Sequence, residues 1–477
     1  MKTWIAGSLV MGRLKESDWI TEETRSADFG DKRLDKRYAS LLGTLSSQPN
    51  KSLPESCKGW TETLAAYRFF DNTKVTAEKV LSPHIEATLE RIKQYKTVLL
   101  PQDTTEINYS HHASVNGLGP LSRIHEQGFH LHPIVAVTPD RVCLGVLHAN
   151  MWAREELGQR MSRSTKPIEE KESMRWLEAY RISSEIARKV PNTEIISLLD
   201  AEGDIIEVLA EATKEKGGAG FIIRSTQNRL LEDSPEGNKL REEIRGVPPL
   251  GTIEFDMPAA KDRTARHVVQ ELRAKMVELK IPVQKADQLP RVKLNVVHAV
   301  EINPPKEEEP IEWFLFTLLP IKTTEQVIQV INYYLCRWEI EIFFKVLKSG
   351  CKIEELQLKD YERLQPCIAF YMISTWRILF LTKLGRECPD LPCDVVFEDA
   401  EWKAVYIVSK RARPPTEPPS LFEIVIMIAQ LGGFLNRKND GFPGPKAMWQ
   451  GLQRTRDFVI TLDAAQAAFS GEKGTCV

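Results

Sequence analysis

Asp103, Asp200 and Glu341 are the acidic residues whose surroundings suit them to hold a hard cation. Asp103 closes the short apolar run Thr-Val-Leu-Leu-Pro-Gln-Asp that starts at residue 97, and Asp200 closes Glu-Ile-Ile-Ser-Leu-Leu-Asp, which starts at 194. If those runs are neighbouring strands, the two carboxylates lie side by side at a sheet end, where open sheets place ligands. Glu341 lies in Tyr-Leu-Cys-Arg-Trp-Glu-Ile-Glu-Ile-Phe-Phe-Lys-Val-Leu-Lys, residues 334 to 348, and would complete an all-oxygen cluster. Such donors suit Mg²⁺ or Mn²⁺, which keep positions for water and phosphate. Two ions roughly 3.5 to 4 Å apart can activate an attacking oxygen and stabilise a leaving one in phosphodiester chemistry. Taken singly, each Asp reads equally as a turn former or helix cap.

The segment around Glu341 carries more charge and aromatic bulk than a packing helix needs. At about 100° per residue, Tyr334, Arg337, Glu341 and Lys348 fall at roughly 0°, 300°, 340° and 320°, one narrow stripe. A solvated ion-pair face would share this pattern, because Arg337 and Glu341 are i,i+4 neighbours.

Elements able to position these residues follow in order. After the strand before Asp103 come strand-like runs at 130–138 and 142–149, joined at Pro139-Asp140-Arg141 like a hairpin. A helix over 168–189, the strand before Asp200, a helix over 205–213 and a strand ending at Arg224 follow. Three strands, helix, strand, helix, strand imply an α/β mixed sheet covered on both faces, in ribonuclease-H order. Residues 235 to about 320 read as a β-rich insertion with strands at 251–257, 267–277 and 291–300. The chain is helical again after Thr323, apart from the Pro-rich linker at 411–419. Residues 1–75 read as short helices, where Lys32 stacks over Lys36 and Arg33 over Arg37. That basic face suits a nucleic acid or plain solvation.

Length and composition bound the rest. A chain of 477 residues with 42% hydrophobic content can build a large core across several domains, and a formal charge of -2 confines any nucleic-acid surface to local clusters. The eight cysteines form no C-x2-C pair, so reduced cytoplasmic thiols are expected rather than disulfides or a zinc site. No segment approaches the ~20 apolar residues of a membrane span. The apolar N-terminal run is broken at Gly7-Ser8 and followed by Arg13 and Lys15, so export is not expected.

The pattern Tyr-x2-Arg-x3-Glu-x6-Lys resembles the signature of the insertion-sequence-four family of bacterial DDE transposases. Other stretches resemble that family in order: Asp-Phe-Gly-Asp-Lys-Arg at 28–33, Ala-Ala-Tyr-Arg-Phe at 65–69, Gln-Asp-Thr-Thr at 102–105, Glu-Lys-Glu-Ser at 170–173, Asp-Ala-Glu-Gly-Asp at 200–204, Glu-Ile-Asn-Pro-Pro-Lys at 301–306 and Leu-Gly-Gly-Phe at 431–434. The resemblance implies that Asp103, Asp200 and Glu341 form a catalytic triad holding two Mg²⁺ or Mn²⁺ ions. It implies DNA contacts by Tyr334, Arg337 and Lys348, by Arg224 and Trp313 near the active site, and by Arg33, Arg37 and Arg68 in the N-terminal helices. Trp313, within an apolar run, reads equally as core. One departure stands out: Arg33 is followed by Leu34 where the family has a second arginine.

The expected organisation is a helical DNA-binding domain over 1–75, a ribonuclease-H-like catalytic domain over 76–390 with the β-rich insertion, and a helical dimerisation domain over 391–477. The expected activity is cut-and-paste transposition by a homodimer in the bacterial cytoplasm, associated with the nucleoid and with no membrane partner. Inverted terminal repeats would be bound, cut by hydrolysis and hairpin formation, and joined by their 3′ ends to target DNA. A metal nuclease that cuts without joining and a catalytically silent DNA-binding regulator are the competing readings.

Overall fold

Short apolar runs become strands here and the amphipathic stretches between them become covering helices. The computed structural model describes residues 16–469 except 58, 113–114, 156–166, 215–216, 233, 235–238, 258–264 and 307. The apolar N-terminal run, the first part of the N-terminal domain and Cys476 lie outside the described residues. The chain opens with α1 (Glu16–Thr24), α2 (Lys32–Ser47), α3 (Leu53–Ser56), α4 (Trp60–Phe70) and α5 (Ala77–Ile92). Next come β1 (Thr97–Pro101), β2 (Thr105–Asn108), β3 (Gly119–Pro120), β4 (Gln127–Val137) and β5 (Cys143–Trp152). Then α6 (Met174–Lys189), β6 (Glu194–Leu199), α7 (Ile206–Lys214), β7 (Gly220–Arg224) and α8 (Leu240–Arg245) alternate. The strands β8 (Gly251–Met257), β9 (Arg266–Leu279), β10 (Val292–Glu301) and β11 (Glu312–Thr317) precede α9 (Thr324–Leu335), α10 (Glu339–Lys345) and α11 (Tyr361–Glu387). The last helices are α12 (Asp399–Lys410), α13 (Leu421–Leu431) and α14 (Pro445–Phe469).

The strands form one mixed sheet in the order β2-β4-β1-β6-β7-β11-β10-β9-β8, with β3 and β5 also on β4. The run β1, β6, β7 is parallel. The β-rich stretch does not stand apart: β11 pairs antiparallel with β7, so β8 to β11 extend the core sheet. Alternation along β1 sends Val98 and Leu100 to one face, with Trp176, Tyr180 and Val208 of α6 and α7. Leu99 goes to the other, with Ile331, Ile340 and much of α11. This two-sided burial explains the near-continuous apolar character of β1, β6 and β7.

β1 and β2 are two halves of one strand beside β4, in a register that runs Leu99↔Val137, Gln102↔Ile134 and Thr105↔Leu131. That register sets Asp103 opposite Pro133, which has no N–H to give. The interruption at Asp103 and Thr104 thus coincides with a missing ladder donor. The short β2 and β3 were not expected from sequence.

The N-terminal helices pack onto α11, where Phe370 meets Tyr38, Phe69 and Phe70 at ring separations of 5.1, 5.8 and 5.5 Å. Buried Glu23 of α1 bonds His84 and Arg91 of α5. His84 Nε2 accepts the Val146 N–H at 3.0 Å, which leaves the ring proton on Nδ1, facing Glu23. A charge buried this way is costly to separate from its partners, so α1 is locked to α5, which packs on β5.

One expectation is corrected here. Helix α11, of 27 residues, is long and apolar enough to cross a membrane, yet it is buried almost throughout inside the protein. It is apolar all round because α2, α5, β5 and the C-terminal helices surround it, so no amphipathic period shows. The described cysteines are all free and buried.

Candidate active site

The register of the parallel strands sets up the site. β1 and β6 pair up to Pro101↔Leu198 and β6 and β7 up to Leu199↔Ile223. Continuing those registers aligns Asp103, Asp200 and Arg224 in one row across three strand ends. β11 runs the other way, with Leu315 opposite Arg224, so Trp313 begins at the same end of the sheet. Local bonds orient the acids: Asp103 Oδ1 accepts the Thr104 N–H at 2.7 Å and Asp200 Oδ1 the Glu202 N–H at 2.8 Å.

The signature segment lies across this row. Arg337 Nη1 is 3.0 Å from Asp103 Oδ2 and its Nη2 3.4 Å from Glu341 Oε1. The Arg337 side chain is 9% exposed, against 47% for that of Glu341. Trp338, 52% exposed, lies 5.0 Å from the guanidinium and was not singled out from sequence, although it sits inside the signature. Tyr334 is buried, and burial pushes its hydroxyl up to about 12 against the pull of Arg337 and Arg224. Trp313 meets its ring edge-on, centroids 6.5 Å apart, and lies parallel to Phe255 at 6.3 Å.

The single straight stripe expected from sequence is corrected. Between Tyr334 and Lys348 the backbone passes from α9 into a 3-10 turn at Cys336–Trp338, through α10, and into a π turn at Val346–Gly350. Each change of pitch rotates the later residues away from a uniform 100° spacing. Tyr334 therefore points into the core beside Trp313, while Lys348 donates to the Glu106 carbonyl and lies 3.9 Å from Glu354. Arg337 and Glu341 keep their i,i+4 contact.

Arg33, Arg37 and Arg68 stand apart on α2 and α4. Asp31 caps α2 through the Arg33 N–H at 2.9 Å and also pairs with the Arg33 guanidinium, which is 91% exposed. Asp204, the second acid of the Asp-Ala-Glu-Gly-Asp stretch, has a structural setting. It is 3% exposed, accepts the N–H groups of Thr226 and Gln227 at 2.9 and 3.0 Å, and receives Arg229 at 2.6 Å.

Electrostatics test whether the acids suit a cation. The Asp103 carboxyl is pushed up to about 7 by burial and by the charge of Asp200, with Glu341 adding to the effect, against the pull of Thr104 and Arg337. Three carboxylates and one guanidinium leave negative charge uncompensated, which an oxygen-seeking divalent ion would relieve. Among the described residues, no three such side chains stand close enough to hold an ion as they are arranged. Arg337, between Asp103 and Glu341, is the group that would have to give way. The donors fit a hard cation in chemistry and charge.

A prediction follows from Asp103. Its proton is held more tightly folded than unfolded, so this carboxyl contributes stability below pH 4 that is lost as pH rises through about 7. The effect is on the order of a few kcal/mol. In metal-free buffer Asp103→Asn should melt several degrees above the parent at pH 8, with the gap shrinking steadily towards pH 5. Equal melting temperatures at pH 8 would contradict the strained carboxylate.

Comparison with known proteins matches three families along the chain. Residues 16–75 match the family described as "Transposase DNA-binding", 166–374 match "Transposase DDE domain", and 373–473 match "Transposase Tn5 dimerisation domain". The DDE match contains Asp200 and Glu341 but begins after Asp103, whose place rests on the strand register. Among solved structures, a piggyBac transposase synaptic complex with hairpin DNA is similar over 94% of this chain and 74% of that one. The identity is 9% and the TM-score 0.35, too slight to carry an argument. The matched domains imply DNA and a second copy of the chain as partners and a divalent metal requirement. The chain therefore belongs to the Tn5-like DDE transposases, DNA-cutting and DNA-joining enzymes whose domain set fits the insertion-sequence-four family.

Proposed function

We propose that the protein excises its element by hydrolysis followed by hairpin formation at each inverted terminal repeat, and then joins the freed 3′ hydroxyls to target DNA. The observation that carries this is the row Asp103, Asp200, Arg224 across consecutive strand ends, with Arg337 reaching Asp103 and Glu341. Asp103, Asp200 and Glu341 would hold Mg²⁺ or Mn²⁺, two ions in the reading we favour, supplying Lewis acidity to the attacking and leaving oxygens. Arg337 can release its carboxylates and fork onto a DNA phosphate, and Arg224 offers a second cation beside it. Trp313 offers an aromatic face at that end of the sheet with the buried Tyr334 packed against it, and Lys348 adds a further cation. The domain limits of 75 and 390 belong to the same proposal, with end recognition before the first and pairing of two copies after the second.

End recognition is assigned to Arg33, Arg37 and Arg68. Changing Arg33 and Arg37 to Ala should weaken binding to an end duplex and reduce the slope of log K against log salt by about 0.9 for each phosphate no longer neutralised. An unchanged slope would mean the face is only solvated. The surface pairing of Arg33 with Asp31 costs little to break.

The test of the whole reading is a duplex bearing the repeats that flank the gene, labelled at its 3′ ends, with Mg²⁺ and a plasmid target. Label joined to the plasmid is the expected result. Cutting without joining would favour a nuclease, and neither product a silent regulator.

A further inference from the structure

The β1–β6 ladder ends with the Gln102 N–H bond to the Leu198 carbonyl, one residue before Asp103 and two before Asp200, so side-chain bonds beyond the ladder also bear on the separation of the two acids. Arg175, in the first turn of α6, reaches both. Its Nε donates to Thr104 Oγ1 at 2.8 Å, next to Asp103. Its Nη2 donates to Glu202 Oε2 at 2.5 Å, and the N–H of Glu202 binds Asp200. Its Nη1 is held by the Glu172 carbonyl at 2.8 Å, and Trp152 and Trp176 flank the group at 5.7 Å each. The side chain is 12% exposed.

A second chain of bonds continues inward with one consistent direction. Thr104 Oγ1 receives Arg175, so its own proton can go to His132 Nδ1 at 2.8 Å. His132 Nε2 then donates to Gln102 Oε1 at 3.1 Å, and Gln102 Nε2 to Ser197 Oγ at 2.7 Å. Ser197 lies on β6, three residues before Asp200. Each group is satisfied, and a neutral, buried His132 is what this order of donors requires. The network thus joins the Asp103 side of the site to the Asp200 side by two routes, one through Arg175 and one through His132.

We infer that Arg175, acting through Thr104 and Glu202, is a positioning residue that sets the spacing of Asp103 and Asp200 and thereby the affinity of the site for a divalent ion. The inference rests on the assignment of those acids as metal ligands. Only a planar fork can serve both loops, so lysine keeps the charge but loses the geometry.

The experiment is a titration of the full-length chain with Mn²⁺ alone, followed by the electron paramagnetic resonance of the free ion, with melting temperatures measured in parallel. Loss of outer-shell partners elsewhere costs about 10- to 100-fold in metal affinity, and Arg175→Lys is expected to weaken Mn²⁺ binding within that range. Thr104→Val, of the same shape but without the hydroxyl, should weaken it in the same direction with little change in melting. An unaltered titration for a folded Arg175→Lys overturns the proposal. If Arg175→Lys does not fold, Thr104→Val decides, and an unaltered titration there overturns it. Asp200→Ala separates the two levels. Should it bind Mn²⁺ like the parent, the ligand assignment fails and this role with it. Loss of binding there beside normal binding in the Arg175 and Thr104 variants refutes positioning alone.

Discussion

Replacing Asp103, Asp200 or Glu341 singly with alanine should leave binding of an end duplex largely intact while removing cleavage in Mg²⁺. The separation is expected because the three lie at one sheet end and on the signature segment, whereas Arg33, Arg37 and Arg68 lie on the N-terminal helices. Each change takes away a proposed first ligand of the ion, so the loss should far exceed the ~10- to 100-fold typical of an outer-shell partner. The Asp103 variant in particular should stay folded, since burial and like charge raise this carboxyl to about 7 and it is not a net source of stability at neutral pH. A variant that keeps near-parent cutting, measured by the nicked-strand product on a denaturing gel, would remove that residue from the triad.

The second large effect is expected at Trp313. An enzyme with one catalytic site that must break both strands can use the first freed 3′ hydroxyl to attack the opposite strand, and the tight hairpin so formed forces a base out of the stack. Extrusion costs a few kcal/mol. Stacking on an aromatic side chain returns about 1 to 3 kcal/mol, which corresponds to roughly 5- to 150-fold in rate. Trp313 is only partly buried at the end of β11, beside Tyr334 and two residues from the Leu315 that pairs with Arg224, so an indole face is within reach of that end of the sheet. Trp313→Ala should nick the first strand at close to the parent rate and accumulate nicked ends with few hairpins. Equal loss of both steps with a lowered melting temperature would instead identify Trp313 as core, packed between Phe255 and Tyr334.

The parts of this account that were legible in the sequence are those where a local pattern and a chemical type coincide. Apolar runs that end in Asp103 and Asp200 announced two strand-end acids, because buried parallel strands read as continuous hydrophobic stretches. The pairing register that adds Arg224 to their row is a property of the folded sheet, and no periodicity encodes it. The stripe from Tyr334 to Lys348 was visible as a 3.6-residue pattern, but the 3-10 and π turns that redirect Tyr334 and Lys348 depend on what the segment packs against. Arg175 was invisible for a different reason. Its partners Thr104 and Glu202 are 71 and 27 residues away, and nothing about one arginine in a charged helix distinguishes it from a solvated one. Helix α11 escaped a core assignment because burial on every side erases the amphipathic signal.

The most direct test of the proposed triad replaces Mg²⁺ with Fe²⁺ and generates hydroxyl radicals with ascorbate and peroxide, so that the polypeptide is cut beside the bound ion. The account predicts cuts close to Asp103, Asp200 and Glu341, suppressed by excess Mg²⁺ and absent from Asp200→Ala. Cuts confined to other parts of the chain, or cuts at these positions that persist in Asp200→Ala, would contradict it.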